Sequence, residues 1–160
     1  MCRLGYNLYA HTGDAAHKEL GDWFYKGERS NAHRRLPPPL IAGRCWGRDP
    51  GKFMDPLACG DDSLNNTHAN THLPEVVGVA RGWEVTQNGT LANITANFHS
   101  ILSEHYSYAT GGSNVNEHWS SPDQLGDAVA TSFNADEEPT NSNGFHVRRS
   151  ASRSPAPLFL

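Results

Sequence analysis

Residues 73–102 read LPEVVGVARGWEVTQNGTLANITANFHSIL, and the periodicity of this stretch decides the fold. In its first half Leu73, Val76, Val77, Ala80 and Trp83 fall on one stripe. In its second half Leu91, Ile94, Phe98, Ile101 and Leu102 recur at intervals of three and four, continuing to His105. Gln87-Asn88-Gly89 interrupts the pattern with turn chemistry. The spacing therefore predicts a helical hairpin, 68–85 and 90–105. Pro74 is compatible with the first helix only in its first turn, where a missing N–H costs least.

Toward the N-terminus the same grammar repeats. Residues 4–12 and 14–26 read as two helices around Thr12-Gly13-Asp14, with Ala16, Leu20, Trp23, Phe24 and Gly27 at helical spacing in the second. Asp14 suits its N-cap, and Lys18, Glu19 and Asp22 are expected on its exposed face. The hairpins overlay at a constant offset of 74 residues: Thr12-Gly13-Asp14 on Thr86-Gln87-Asn88, Leu20 on Ile94, Phe24 on Phe98. Repeated helical hairpins belong to an all-α architecture, an α-solenoid or an α/α toroid, in which neighbouring units cover each other's apolar faces. Such stacks ask for about three units. Leu, Ile, Val and Phe supply only 29 of 160 residues, below the ~20% at which cores become hard to build. Residues 1–133 are accordingly expected to be a fragment of a longer toroidal domain.

The remaining segments read as connections. Residues 28–61 form a long loop or insertion, in which Arg29, Arg34, Arg35, Arg44, Arg48 and Lys52 surround Pro37-Pro38-Pro39. A basic, proline-rich stretch can bind an acidic polymer or an SH3-like partner, but without interleaved aromatics it reads as a solvated loop. Residues 134–160 lack periodicity and are expected to form a disordered tail. Thirteen basic against 17 acidic residues give a net charge of -4, which argues against nucleic acid or an anionic membrane as partner. No apolar run is long enough to span a bilayer.

Cys2, Cys45 and Cys59, odd in number and without a CxxC pair, do not make a disulfide framework or force a zinc site. The chain begins without the apolar run of a secretory signal, so either the protein is cytosolic or Met1 is not the original start. A signal peptide in a longer gene would make it secretory or extracellular. Asn65, Asn88 and Asn93 each begin an Asn-x-Ser/Thr acceptor site, which leans toward secretion, although 13 Asn and 22 Ser plus Thr also supply such matches by chance.

Residues able to carry chemistry lie beside the second hairpin. Tyr106-Ser107-Tyr108-Ala109-Thr110-Gly111-Gly112 is too rich in glycine and small polar groups to remain helical, and it leads to Glu117-His118-Trp119. A loop carboxylate beside an aromatic ring suits a sugar: the ring stacks on the apolar face while the carboxyl serves as acid and base at the glycosidic oxygen. The alternative is an exposed Glu117 and a half-buried Trp119 closing the bundle. His68 and His72, four apart at a helix start, place both rings on one face as metal or substrate ligands would. There is no HExxH, and Glu75 is the nearest acidic residue, so polar helix-start histidines are the plainer reading. Gly111-Gly112 is no phosphate loop, since GxxxxGK[ST] and GxGxxG are both absent.

Taken in order, His68-Ala69-Asn70-Thr71-His72-Leu73-Pro74, Glu84-Val85-Thr86, His105-Tyr106-Ser107-Tyr108-Ala109-Thr110-Gly111-Gly112 and Asn116-Glu117-His118-Trp119-Ser120-Ser121-Pro122 resemble the catalytic α/α barrel of the β-L-arabinofuranosidase-like glycoside hydrolases, glycoside hydrolase family 127 and its relatives. The YATGG element with its following Glu and Trp is the most specific part. The resemblance implies a retaining glycosidase acting on plant-type or cell-wall arabinosides, with carbohydrate as partner. It also implies a zinc-bound cysteine thiolate as nucleophile, kept deprotonated by the metal. Glu117 matches the acid/base glutamate and His68 a sugar-contacting histidine, and His72, Tyr108 and Trp119 complete the expected substrate-binding set. The family's zinc glutamate is followed two residues later by a cysteine and further on by two more, one of them the nucleophile. Here the chain reads Asp136-Glu137-Glu138-Pro139-Thr140, with no cysteine after Cys59. No metal ligand is therefore assigned in this chain, zinc belongs to the intact family, and the sequence as written is expected to be inactive. Two other readings are a non-catalytic carbohydrate-binding protein using His68, Glu117 and Trp119, and a helical-repeat interaction module using the basic loop.

Overall fold

The computed structural model describes residues 2–26, 53–109, 111–134 and 139–140. In chain order these form α1 (Cys2–Thr12), α2 (Ala15–Lys26), α3 (Met54–Ala58), α4 (Ala69–Thr86), α5 (Gly89–His105), β1 (Asn114–Val115), α6 (Leu125–Asn134) and β2 (Pro139–Thr140). The architecture is all-α apart from the two short strands. Among the described residues no helix is long and apolar enough to cross a membrane.

Both expected hairpins are present, and their turns match bond for bond at the offset of 74. The Thr12 hydroxyl donates to the Leu8 carbonyl and that of Thr86 to the Gly82 carbonyl. The N–H of Gly13 bonds to Tyr9 O and that of Gln87 to Trp83 O, each from a residue with positive φ (70° and 55°). Asp14 and Asn88 then cap the following helices, accepting from Ala16 N at 2.9 Å and Thr90 N at 3.0 Å. The first helices of the two hairpins pack side by side. Arg81 Nε donates to Asn7 Oδ1 at 2.8 Å, a pair of residues the offset makes equivalent.

The helix faces follow the sequence less evenly. In α4 and α5 Leu73, Val76, Leu91, Ile94, Phe98 and Leu102 are buried, as the stripe predicts. In α2 Leu20 and Trp23 are exposed, while Asp22, expected on the outer face, is buried. Close helix approach explains the inversion. A Cβ on Gly5 would lie 2.6 Å from Gly21 N, and one on Gly82 would lie 2.6 Å from the Tyr6 ring. The glycines let α1, α2 and α4 close around a fully buried Tyr6, whose hydroxyl donates to Asp22 Oδ1 at 2.7 Å. Lys18 Nζ donates to the other carboxylate oxygen, Asp22 Oδ2, at 2.9 Å, so the buried charge is paired.

Four further expectations need correction. Pro74 lies in the second turn of α4, the sixth residue of the helix, and is tolerated on its exposed side. The stretch 28–61 is not wholly loop, because Met54 and Leu57 at helical spacing bury on α5 as α3, and Asn97 Nδ2 donates to Leu57 O at 2.8 Å. Cys59 is disulfide-bonded, although the cysteine spacing suggested no disulfide framework. Within the stretch read as a tail, Pro139–Thr140 pairs antiparallel with Asn114–Val115. The basic loop 28–52 and residues 141–160 lie outside the described residues.

Candidate active site

Glu117 stands on a two-residue hairpin turn. Val115 and His118 exchange both backbone hydrogen bonds at 3.0 Å, and Asn116 and Glu117 between them have φ of 47° and 63°. Positive φ at both central residues is the signature of a type I′ turn, where asparagine is favoured first and glycine second. A glutamate at the second position costs about 1–3 kcal/mol of backbone strain and persists only where its surroundings over-determine it. Here they do. Glu117 O accepts from Ala69 N at 2.7 Å, Trp119 N donates to Thr67 O at 3.1 Å, and Asn66 N donates to Trp119 O at 3.0 Å.

Trp119 fastens that ladder to the core. It is fully buried, stacked parallel to Phe53 at 5.9 Å and edge-on to Phe98 at 5.8 Å, with Nε1 donating to Ser113 Oγ at 3.4 Å. The sugar-stacking face expected of this residue is covered, because its ring fills the space between α3, α5 and the turn.

The opposing segment supplies the carboxylate's partners. His68 is the N-cap of α4, and its Nδ1 accepts from Thr71 N at 3.2 Å. A nitrogen that accepts carries no proton, so the cap fixes the Nε2–H tautomer. That N–H donates to Glu117 Oε2 at 3.1 Å, while Asn70 Nδ2 donates to Oε1 at 2.8 Å. The side chains of His68 and Glu117 remain 37% and 53% exposed, enough for an external ligand to reach both. His118 lies edge-on to His68 at 4.8 Å and donates through Nδ1 to Asn116 O.

The other sequence candidates are more scattered. His72 sits one turn along α4, stacked on Phe53 at 4.1 Å and paired with Glu75 Oε2 at 3.1 Å. Tyr108 closes the turn to Gly112, and its buried hydroxyl has no hydrogen-bond partner among the described residues. Burial raises the pKa of that hydroxyl, so it stays protonated. Asn70 and His118 were not singled out in the sequence, although the Asn-Glu pair between β1 and His118 is the local signal of the turn that assembles them. Tyr106 adds support from behind: buried, it donates to Asp62 Oδ2 at 2.6 Å, while Asp62 Oδ1 accepts from Leu64 N at 2.7 Å. This fastens the segment that leads to His68. Burial first and then the Asp62 carboxylate push the Tyr106 hydroxyl far above its ordinary pKa, keeping it a donor.

A histidine and an asparagine thus hold one exposed carboxylate on a strained turn, with both carboxylate oxygens already hydrogen-bonded and still within reach of an external ligand. A family model described as beta-L-arabinofuranosidase, GH127 catalytic domain, matches residues 1–145. The chain belongs to this GH127 family. The family is one of β-L-arabinofuranosidase-like glycoside hydrolases, which makes carbohydrate the substrate class. Among curated proteins no match is found. For GH127 the resemblance also implies zinc. Among the described residues no three of His, Cys, Asp and Glu come together as a donor set, and the Cys59 sulfur is held in a disulfide rather than offering a thiolate. The described residues do not fit a zinc site. Glu137, Glu138 and Cys45 lie outside the described residues.

Proposed function

We propose that this GH127 chain is built for arabinofuranosyl glycosidic bonds of plant-type or cell-wall polymers, with Glu117 as general acid and base, and that the sequence as written, with no free thiolate among its described side chains, is inactive until a nucleophile is supplied. The observation that carries the reading is the carboxylate held at both oxygens, by His68 Nε2–H and Asn70 Nδ2, on a turn that puts it in solvent reach. Each carboxyl oxygen has two lone-pair sites, so both bonds leave room for the proton that Glu117 delivers to the departing glycosidic oxygen. A retaining reaction also needs a nucleophile to take the anomeric carbon as the leaving group departs, and the described side chains offer no free thiolate for it; with one in place, the same carboxylate would take the proton of the water that releases the sugar. His68 both orients Glu117 and faces the sugar. His72 and the half-buried ring of Tyr108, whose hydroxyl faces inward, are the further substrate contacts, and Trp119 contributes from beneath by holding the turn.

Glu117→Gln keeps the shape and removes the titrating oxygen. Turnover of an aryl arabinofuranoside by the native protein is expected to fall by a factor on the order of 10². Activity near that of wild type would remove Glu117 from this role. The oxidised Cys59 favours one second reading, carbohydrate binding without turnover, because no thiolate accompanies Glu117 among the described residues. Saturable binding of an arabino-oligosaccharide, lost in His68→Ala, with no reducing end released would select that reading.

A further inference from the structure

The three acceptor sequences at Asn65, Asn88 and Asn93 all present an exposed asparagine, but they sit in different structural settings. Asn65 adjoins Asn66, whose N–H pairs with Trp119 O in the ladder that positions Glu117. A large substituent there would crowd the carbohydrate site. Asn93 lies within α5, and its hydroxyl residue Thr95 is buried with Oγ1 bonded to Leu91 O at 2.8 Å. Asn88 is at the tip of the α4–α5 hairpin, at the far end of α4 from His68. Over 18 residues that is a separation of ~27 Å at ~1.5 Å per residue.

The geometry at Asn88 leaves its amide nitrogen available. Oδ1 accepts from Thr90 N at 3.0 Å, the side chain's own turn within the acceptor sequence, and Nδ2 has no partner among the described residues. Around the neighbouring Gly89 a Cβ would meet nothing within 4 Å, so the tip is open. An independent observation points to the compartment: Cys59 is disulfide-bonded, and such bonds persist where the environment is oxidising, as in the secretory pathway.

We propose that Asn88 carries an N-linked glycan, acquired as the chain passes through a secretory compartment. In the attachment step Asn88 Nδ2 attacks the anomeric carbon of an oligosaccharide carried on a lipid diphosphate. The N–C bond forms, the C–O bond to the diphosphate breaks, the lipid diphosphate departs with that electron pair, and the amide loses one proton to a base of the transferring enzyme. The glycan shields the hairpin tip and leaves the face carrying Glu117 open. This inference stands apart from the glycosidase reading, since it uses neither Glu117 nor His68.

The test is made on the native protein from its source cells. It is treated with peptide-N-glycosidase F in heavy-oxygen water, and the chymotryptic peptides 65–83, 84–91 and 92–98 are weighed. Isotope-labelled Asp at position 88 is expected. Thr90→Ala, made in the same cells, keeps both the Asn88 Oδ1 acceptor and the backbone N–H that it caps, so the helix start is preserved while the acceptor sequence is lost. Its intact mass should fall by one glycan. Unlabelled Asn88, labelling confined to position 65 or 93, or a Thr90→Ala protein still glycosylated at Asn88 would overturn the proposal.

Discussion

The two hairpins share a turn and differ in what their helices face. Thr12-Gly13-Asp14 and Thr86-Gln87-Asn88 make equivalent bonds to the residues before and after them, so local sequence dictates the same reversal twice. Beyond the turn, α4 and α5 bury their apolar stripe against each other, α1, α3 and Trp119, whereas α2 leaves Leu20 and Trp23 in solvent. Periodicity places a stripe on a helix; it does not supply the layer that covers it. The N-terminal pair is instead held by backbone proximity at Gly5 and Gly21 and by one buried tyrosine with a charged partner.

The sharpest way to break this comparison is to truncate one aromatic ring in each hairpin. Phe98→Ala opens a cavity under Trp119 and Phe53 and is expected to cost ~3–5 kcal/mol. Trp23→Ala, at a residue 56% exposed, should change stability by no more than ~0.5 kcal/mol. Urea unfolding of both variants checks the pair. A large loss at Trp23 would mean that the exposed face of α2 is covered in solution and that the hairpins are more alike than their burial indicates.

A second change addresses what replaces the missing stripe. Tyr6→Phe preserves the ring wedged against Gly21 and Gly82 but removes the donor to Asp22. Hydrogen bonds to charged groups are worth ~1.5–3 kcal/mol, and this one is buried, so a loss in that range is expected in the same unfolding assay. Tyr6→Phe at wild-type stability would assign the N-terminal hairpin to ring packing alone.

The same contrast sets how much could be read before the structure was known. The hairpin 69–105 was legible because capping, turn and stripe agree there, and α4 and α5 fall within a residue of their expected bounds. Burial of Asp22 was not legible, because it depends on helix approach at Gly5 and Gly21, a tertiary consequence of residues that carry no side-chain signal. At the site, His68 and Glu117 were legible as residue types near a resembling motif. Their meeting was not, since 49 residues separate them and only the Asn116–Glu117 turn laid onto 66–69 brings them together. Trp119 was misread for a related reason: the sequence shows an aromatic beside a carboxylate, while the positive-φ turn at Asn116 and Glu117 leaves the carboxylate in solvent and the chain after it carries Trp119 into the core.

The smallest expected effect concerns how the second hairpin ends, a feature with no described counterpart at the end of α2. At the close of α5, His105 O accepts from Asp123 N at 3.0 Å, and Nδ1 meets Asp123 Oδ1 at 3.0 Å, tying the helix to the turn that follows the site. The hydrogen bond that His105 donates to Asp123 raises its pKa above the ordinary 6.5, against an opposing desolvation, and the charges of Asp123, Glu104 and Asp62 add to the rise. A histidine whose folded pKa exceeds its unfolded one adds stability that is fully present below the unfolded value and fades as pH rises through the folded value. Wild type should therefore exceed His105→Gln in Tm at pH 5.5, and the gap should narrow by pH 8. Both side chains are largely in solvent, so the gap is modest and shrinks with added salt. An equal gap at the two pH values, or a His105 ring that titrates below 6.5 by NMR, would show that the side-chain pair is not formed in solution and that the backbone bond from Asp123 alone ties the end of α5.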